Sequence, residues 1–388
     1  MTIKLYENDM YLKEVDAKIT EIIEEKNAIF LVLDKSIFFP LGGGQPSDIG
    51  YIENSKVLEV IEKNGKLYHR VEKKPIKDNV HLVLDWNRRL DNMQQHCGEH
   101  ILSGIILKEI NGHNKGFHMG KDIVTIDIDL PSIGGTLLKE IEKKANEAIY
   151  KNALVNIYNV NSKDEASKYG VRKEVTVEKD IRIVSIDGID TVACCGSHPR
   201  RTGEVGLIKI LKVEKNKNMT RIHFVCGNRA LKDYKLKSDI ISELSKKYSS
   251  SAENLLSKMA KKEEKNELIK QKYTELKNRF NSLEVETLFN ENKNKYIKIY
   301  NDMDFNDIEY ISKKVHEKIK CLTVFASANE KRILMIDGLD SNNCGKFFKE
   351  NIRDFNGKGG GSINIAQGKF ESEEDLRRFC EKADEILN

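Results

Sequence analysis

All five prolines of this 388-residue chain, Pro40, Pro46, Pro75, Pro131 and Pro199, lie in its first 199 residues. Proline lacks a backbone N–H and fixes φ, so it breaks helix interiors and central strands. A chain divided this way is expected to build a turn-rich first half and a helix-rich second half. The clearest helical stretch is 231–290. A seven-residue repeat runs there from Ala252 and Leu255 through Ile269, Tyr273, Leu276 and Phe280 to Leu283, with eight of ten seam positions apolar. Such a seam suits a coiled coil that dimerises, or a hairpin joining two domains, with Leu236, Ile240 and Ile241 on the facing helix. Ser250 and Glu253 form a capping-box signature for the start of that helix.

The expected fold class is α+β. Residues 1–89 carry short apolar or alternating runs (28–34, 56–61, 66–71, 81–85) separated by Gly, Asn and Asp, which predicts a small β-barrel with a glycine-rich loop at Gly42-Gly43-Gly44. Residues 90–230 mix helices (through about 108, and 133–151) with strands at 123–129, 181–186, 206–213 and 220–225, the pattern of an α+β domain. The helical hairpin linker of 231–290 follows. Residues 291–388 read as a C-terminal α/β domain, in which a glycine turn at 357–361 precedes a short strand and a final helix, 371–387.

Composition excludes several classes. Hydrophobic residues at 39% and charged residues at 32% fit a globular chain, and no apolar run approaches the ~18 residues of a membrane span. The N-terminus has no apolar core of the signal-peptide kind. Seven scattered cysteines, an odd number, argue against a secreted disulfide framework and for reduced thiols in the cytoplasm. The net charge of +4 averages over unlike regions: residues 200–248 hold thirteen Lys/Arg against five Asp/Glu, an excess suited to phosphates.

His96-Cys-Gly-Glu-His100 lies on a predicted helix, where residues four apart share one face. Cys194-Cys-Gly-Ser-His198 supplies a second nitrogen/sulfur pair from a turn between strands. Together the two pairs suit Zn²⁺; core cysteines and hydrogen-bonded histidines are the alternative. Spacing alone leaves Cys194 and Cys195 both eligible. Cys97 stands where the zinc-protease helix motif requires Glu, so that chemistry is not indicated.

These motifs resemble the zinc motifs of the editing domain of alanyl-tRNA synthetase and of its stand-alone relatives, the AlaX family of alanyl-tRNA editing proteins. The resemblance extends to Phe39-Pro-Leu-Gly-Gly-Gly-Gln-Pro-Ser-Asp48, Asp85-Trp86 with Arg88 and Arg89, Met93-Gln-Gln-His96, Gly116-Phe-His-Met-Gly120 and Thr202-Gly-Glu-Val-Gly206. Gly359-Gly-Gly-Ser-Ile-Asn-Ile-Ala-Gln-Gly368 is similar to the C-terminal DHH-associated domain of those synthetases. The order is that of the long AlaX form. Cys195 replaces the first of two glycines usual after the family's cysteine, and the register assigns Cys194 as the ligand. No Asp-His-His sequence and no Gly-Lys-Ser/Thr phosphate loop occurs.

The resemblance implies a deacylase that hydrolyses serine or glycine from mischarged tRNA specific for alanine, with one Zn²⁺ per chain held by His96, His100, Cys194 and His198. Glu99, Gln45 and Thr125 are the candidate catalytic or neighbouring polar residues; the alternatives are a solvated helix-face carboxylate, a loop amide and a strand threonine. Gly42, Gly43, Gly44, Arg200, Arg201, Gly360 and Gly361 are candidates for tRNA contact. The C-terminal region is a candidate surface for a homodimer. Two other readings compete: a tRNA-binding module with a structural zinc, and an editing hydrolase for another aminoacyl-tRNA such as threonyl-tRNA.

Overall fold

The computed structural model describes residues 1–25 and 27–387. The chain is mixed α+β and divides into two compact units, Met1–Glu243 and Leu244–Asn388.

The first unit starts with β1 (Ile3–Lys4) and α1 (Leu5–Asn8). The strands β2 (Glu14–Glu25), β3 (Ala28–Leu33), β4 (Lys35–Ser36), β5 (Gly50–Ile52), β6 (Ser55–Lys63), β7 (Lys66–Val71) and β8 (Asn79–Leu84) follow. β1 pairs with β4, and the other six close a barrel in the order β2-β3-β7-β6-β5-β8. Period-two alternation builds its interior. Leu67, His69 and Val71 of β7, and Val80, Leu82 and Leu84 of β8, point inward while their neighbours face out. β2 escapes a reading based on apolar runs because only Ala17 and Ile19 of its twelve residues are buried.

Helix α2 (Trp86–Ile110) leaves the barrel capped by Asp85, whose carboxylate accepts from Arg88 N at 3.1 Å. Arg89 anchors its first turn. The fully buried guanidinium donates to Asp48 Oδ2 from Nε (3.0 Å) and Nη2 (2.5 Å), to Met10 O (2.6 Å) and to Ile37 O (2.7 Å). Removing one partner of such a pair leaves a buried charge, at a cost of about 3–5 kcal/mol. The pair therefore fixes where the helix, and the histidines two turns on, must lie.

After α2 come β9 (Asn114–Met119), β10 (Val124–Ile128), α3 (Gly135–Tyr150), β11 (Val155–Val160), α4 (Lys163–Ser167), β12 (Ile181–Ile186), β13 (Asp190–Ala193), β14 (Ile208–Asn216) and β15 (Met219–Cys226), of which α3, β9, β13 and β15 pack on α2. The strands form a four-stranded sheet, β14-β15-β10-β9, and a three-stranded one, β11-β12-β13. Leu138, Ile141, Ala145 and Ile149 of α3 recur at helical spacing and join Ile101, Ile126 and Phe224 in one core. Helix α5 (Gly227–Tyr248) follows β15, beginning before the expected start at 231.

In the second unit a 3₁₀ turn, Ala252–Asn254, precedes α6 (Leu255–Glu291). The expected capping box does not form: Ser250 Oγ donates to Ser251 O at 3.3 Å, and the 3₁₀ turn starts the helix instead. Next come β16 (Lys295–Tyr300), α7 (Phe305–His316), β17 (Leu322–Ser327), β18 (Arg332–Asp337), α8 (Cys344–Asn351), β19 (Gly357–Gly361), β20 (Ile365–Phe370) and α9 (Glu373–Ile386). The sheet order is β16-β17-β18-β20-β19, parallel only between β16 and β17. The glycine segment expected as a turn is thus an edge strand. A Cβ on Gly359 or Gly361 would come within 2.2 and 2.0 Å of the carbonyls of Gln367 and Ile365, so glycine here permits close strand approach.

Candidate metal centre

His96 and His100 lie on one face of α2, both 2% exposed, with ring centroids 5.4 Å apart. The second pair comes from the loop after β13, whose pairing continues to Cys194 N, donating to Arg182 O at 2.9 Å. Arg182 Nη1 then donates to the carbonyls of Cys194 (2.8 Å) and Gly196 (3.0 Å), shaping the loop so that it turns back. The result is a cluster in which one donor atom each of His96, His100, Cys194 and His198 lies within 4.8 Å of every other. Cys194 Sγ is 3.3 Å from His96 Nε2 and 3.4 Å from His198 Nε2. This arrangement could hold a metal ion. Of the two cysteines that spacing left open, Cys194 lies in the cluster, while Cys195 is exposed and outside it.

Electrostatics inside the cluster favour a thiolate. Burial pushes the Cys194 thiol up, but the imidazoles of His96, His198 and His100 outweigh it and hold it well below its ordinary value. Burial drives His198 down to about 3. For His100 burial also disfavours the charge, yet the Cys194 thiolate, Asp190 and Glu99 prevail and raise it to about 10. A metal ion on His100 must displace that proton, so binding would release protons.

Gln45 is fully buried between the two halves of the site. Its Oε1 lies 2.9 Å from His96 Nδ1 and accepts from Ser197 N at 3.0 Å, while Nε2 donates to Ser197 Oγ at 2.8 Å. An Oε1 acceptor puts the His96 proton on Nδ1 and leaves Nε2 free to face the sulfur. The glycines place it: Gly42 and Gln45 exchange backbone bonds of 3.1 and 3.0 Å around Gly43 and Gly44, both at positive φ (59° and 77°), a tight hairpin turn. Gly42, Gly43 and Gly44 are exposed, and Gly44 lies beside Phe117, whose ring is 5.1 Å from that of His96.

Glu99 is buried, not solvated. Its Oε1 accepts from Ser103 Oγ (2.6 Å) and Asn114 Nδ2 (2.7 Å), and Oε2 lies 3.7 Å from His100 Nε2. Burial opposes its charge, but His100, Arg172 and the Ser103 bond hold the carboxyl down at about 2. Thr125 sits half-buried on β10, in register with His118 and His223, and has no hydrogen bond to the cluster among the described residues. Arg200 and Arg201 are exposed just past His198. Arg200 stacks over Tyr11 at 4.4 Å and pairs with Asp9 at 3.1 Å; Arg201 Nη1 donates to Asn152 O at 3.0 Å. Gly360 and Gly361 lie on the exposed edge strand β19 of the second unit. Sequence reasoning missed Asp190, Arg172 and Arg182. Only Asp190 had any signal, an acid four residues before Cys194 on a strand.

A barrel joined to an α+β layer, with buried imidazoles around a thiolate, marks the class: residues 181–223 match the family described as threonyl and alanyl tRNA synthetase second additional domain. The chain is 32% identical to the alanyl-tRNA editing protein AlaX-L of Pyrococcus horikoshii, over 96% of this chain and 95% of that protein. It is 34% identical to the AlaX-M protein of Methanosarcina mazei over 58% of this chain and 96% of that one. Against the alanine–tRNA ligase of Methanobrevibacter smithii, identity is 30% over 99% of this chain but only 45% of the ligase. The chain belongs to the AlaX family of alanyl-tRNA editing proteins.

Proposed function

We propose that the protein is a trans-editing hydrolase that cleaves the ester linking serine or glycine to tRNA specific for alanine, working in the cytoplasm at a zinc ion held by His96, His100, Cys194 and His198. The observation that carries this reading is the convergence of those four donors, from segments 98 residues apart, beneath the exposed Gly42–Gly44 hairpin. Three imidazoles and a thiolate suit zinc. Tetrahedral zinc with ~2.3 Å bonds to sulfur and ~2.0 Å bonds to nitrogen separates those donors by about 3.5 Å, close to the observed 3.3 and 3.4 Å. When bound, the ion supplies Lewis acidity, polarising the ester carbonyl or acidifying a water.

The chain's own residues do the rest. Gln45 has both ends of its amide engaged, so in this reading it orients His96 and sets its tautomer. Glu99, ionised and held by Ser103 and Asn114, keeps negative charge beside His100. The hairpin glycines leave room for the terminal nucleotide, and Arg200 and Arg201 meet phosphates at the rim. Serine differs from alanine by one hydroxyl, which a synthetase pocket of alanine size rejects poorly, so a second sieve is required. The parts 1–89, 90–230, 231–290 and 291–388 are kept as the functional division, with Gly360 and Gly361 offering a second RNA contact.

We also propose that α6 pairs with its counterpart in a second copy. Ile269, Tyr273, Leu276, Phe280 and Leu283 are each more than half exposed and keep the alternating four- and three-residue spacing of a coiled-coil seam.

Incubating the protein side by side with seryl-, glycyl- and alanyl-tRNA carrying the alanine anticodon stem and acceptor tests the substrate. Release of serine or glycine well ahead of alanine is expected. Equal inertness toward all three would return the protein to a binding role, and release only from a tRNA of another specificity would move it to a different editing class.

A further inference from the structure

Asp190 opens β13 four residues before Cys194, and its side chain is 1% exposed. Its Oδ2 lies 3.1 Å from His100 Nδ1, and its Oδ1 lies 2.6 Å from Nε of Arg172. Arg172, itself 9% exposed, reaches Glu99 Oε1 with Nη2 at 3.4 Å. Among the described residues, neither Asp190 oxygen, nor His100 Nδ1, nor Arg172 Nε makes an aligned hydrogen bond, so the 3.1 and 2.6 Å approaches are close ion-pair contacts and the nearest partners these buried atoms have. Buried polar atoms seldom go unpaired, so Asp190 and His100 are left to satisfy each other. A neutral imidazole carries one N–H and one lone pair. With Nδ1–H turned to Asp190, the lone pair falls on Nε2, across the ring.

The geometry points to Asp190, backed by Arg172, as the positioning pair that sets the tautomer and ring orientation of His100 for metal binding. It does for His100 what Gln45 does for His96, but with a charged acceptor. Arg172 has a double duty. It fixes the Asp190 carboxylate from the side away from the imidazole, and it ties that carboxylate to Glu99, so that the charges on both sides of His100 share one counterion. Three segments distant in sequence thus converge on one ligand: the helix α2, the loop before β12 that carries Arg172, and the start of β13. A ligand histidine whose outer nitrogen is held by a carboxylate is more basic and fixed in direction, and losing the holder typically costs ten- to a hundredfold in metal affinity.

The inference rests on the reading that the cluster holds zinc, and its test keeps the two apart. Zinc affinity of the intact protein is measured by competition with a chromogenic chelator for the wild type, Asp190→Ala and Asp190→Asn, with Trp86 fluorescence reporting the fold. The expected result is a ten- to hundredfold loss in Asp190→Ala, most of it recovered in Asp190→Asn, whose amide oxygen still accepts from Nδ1. ¹⁵N spectra of histidine in the zinc-loaded wild type should show His100 protonated on Nδ1. That measurement needs no variant and decides the matter if Asp190→Ala fails to fold. Unchanged affinity in Asp190→Ala, an Asp190→Asn no tighter than Asp190→Ala, or His100 protonated on Nε2 each overturns the positioning role. A wild type that takes up no zinc overturns the metal reading, and the positioning role with it.

Discussion

Gln45 Oε1 and His96 Nδ1 face each other at 2.9 Å, joining the glycine hairpin to helix α2 at the point where the helix supplies the first imidazole of the candidate metal cluster. The same oxygen takes Ser197 N from the opposite loop, so one buried amide aligns both halves of the site. Gln45→Leu keeps the volume and removes the acceptor. It should weaken zinc binding about tenfold, since outer partners of ligands are worth that much. Chelator competition measures it, and unchanged affinity would mean the amide only fills space.

The barrel carries its own pH dependence, away from the cluster. His69 is fully buried, with Nδ1 3.1 Å from Leu31 O and Nε2 2.7 Å from Ser36 Oγ, and burial pushes its pKa down to about 4. Between pH 6.5 and 4 the unfolded chain binds a proton here that the folded chain does not, so stability falls as pH falls through that window. The loss should reach about 2 kcal/mol between pH 7 and 5. Urea unfolding followed by fluorescence of Trp86, the only tryptophan and packed against the barrel core, should show a smaller loss in His69→Gln. Equal losses in both proteins would assign the pH effect to other groups.

Binding of tRNA should weaken steeply with added salt, because each neutralised phosphate releases counterions. Replacing Arg200 and Arg201 by alanine should lower the slope of log affinity against log salt by about 1–2. Filter binding from 50 to 300 mM salt checks this, and an unaltered slope would place the phosphates elsewhere on the protein.

The seam of α6 makes a prediction about mass. Leu276→Glu with Phe280→Glu puts like charges at adjacent seam positions while leaving Val285 and Leu288, which pack against α7, untouched. Sedimentation equilibrium should show the wild type as a dimer and the double variant as a monomer. A wild type that is monomeric at tens of micromolar rules out the seam as an interface.

What was readable in the residues follows their periodicity. His96 and His100 share a helix face because helices repeat every 3.6 residues, and Cys194 and His198 stand out by residue type, so all four members of the cluster could be named in advance. Gln45 could be named only as a neighbour; that its amide binds His96 depends on the hairpin turn folding it inward. Asp190 reaches His100, and Arg172 reaches Asp190, from separate segments that no spacing connects. β2 was hidden by its charged outward face, and β19 by glycines whose usual meaning is a turn.

The central claim is that the His96–His100–Cys194–His198 cluster is the hydrolytic site. The measurement that bears on it most directly is single-turnover deacylation of seryl-tRNA specific for alanine by wild type and Cys194→Ala, each with its zinc content determined. Rapid release by a wild type holding one zinc per chain, with Cys194→Ala both zinc-free and at least a hundredfold slower, is the predicted result. Wild-type turnover by a zinc-free Cys194→Ala would contradict it.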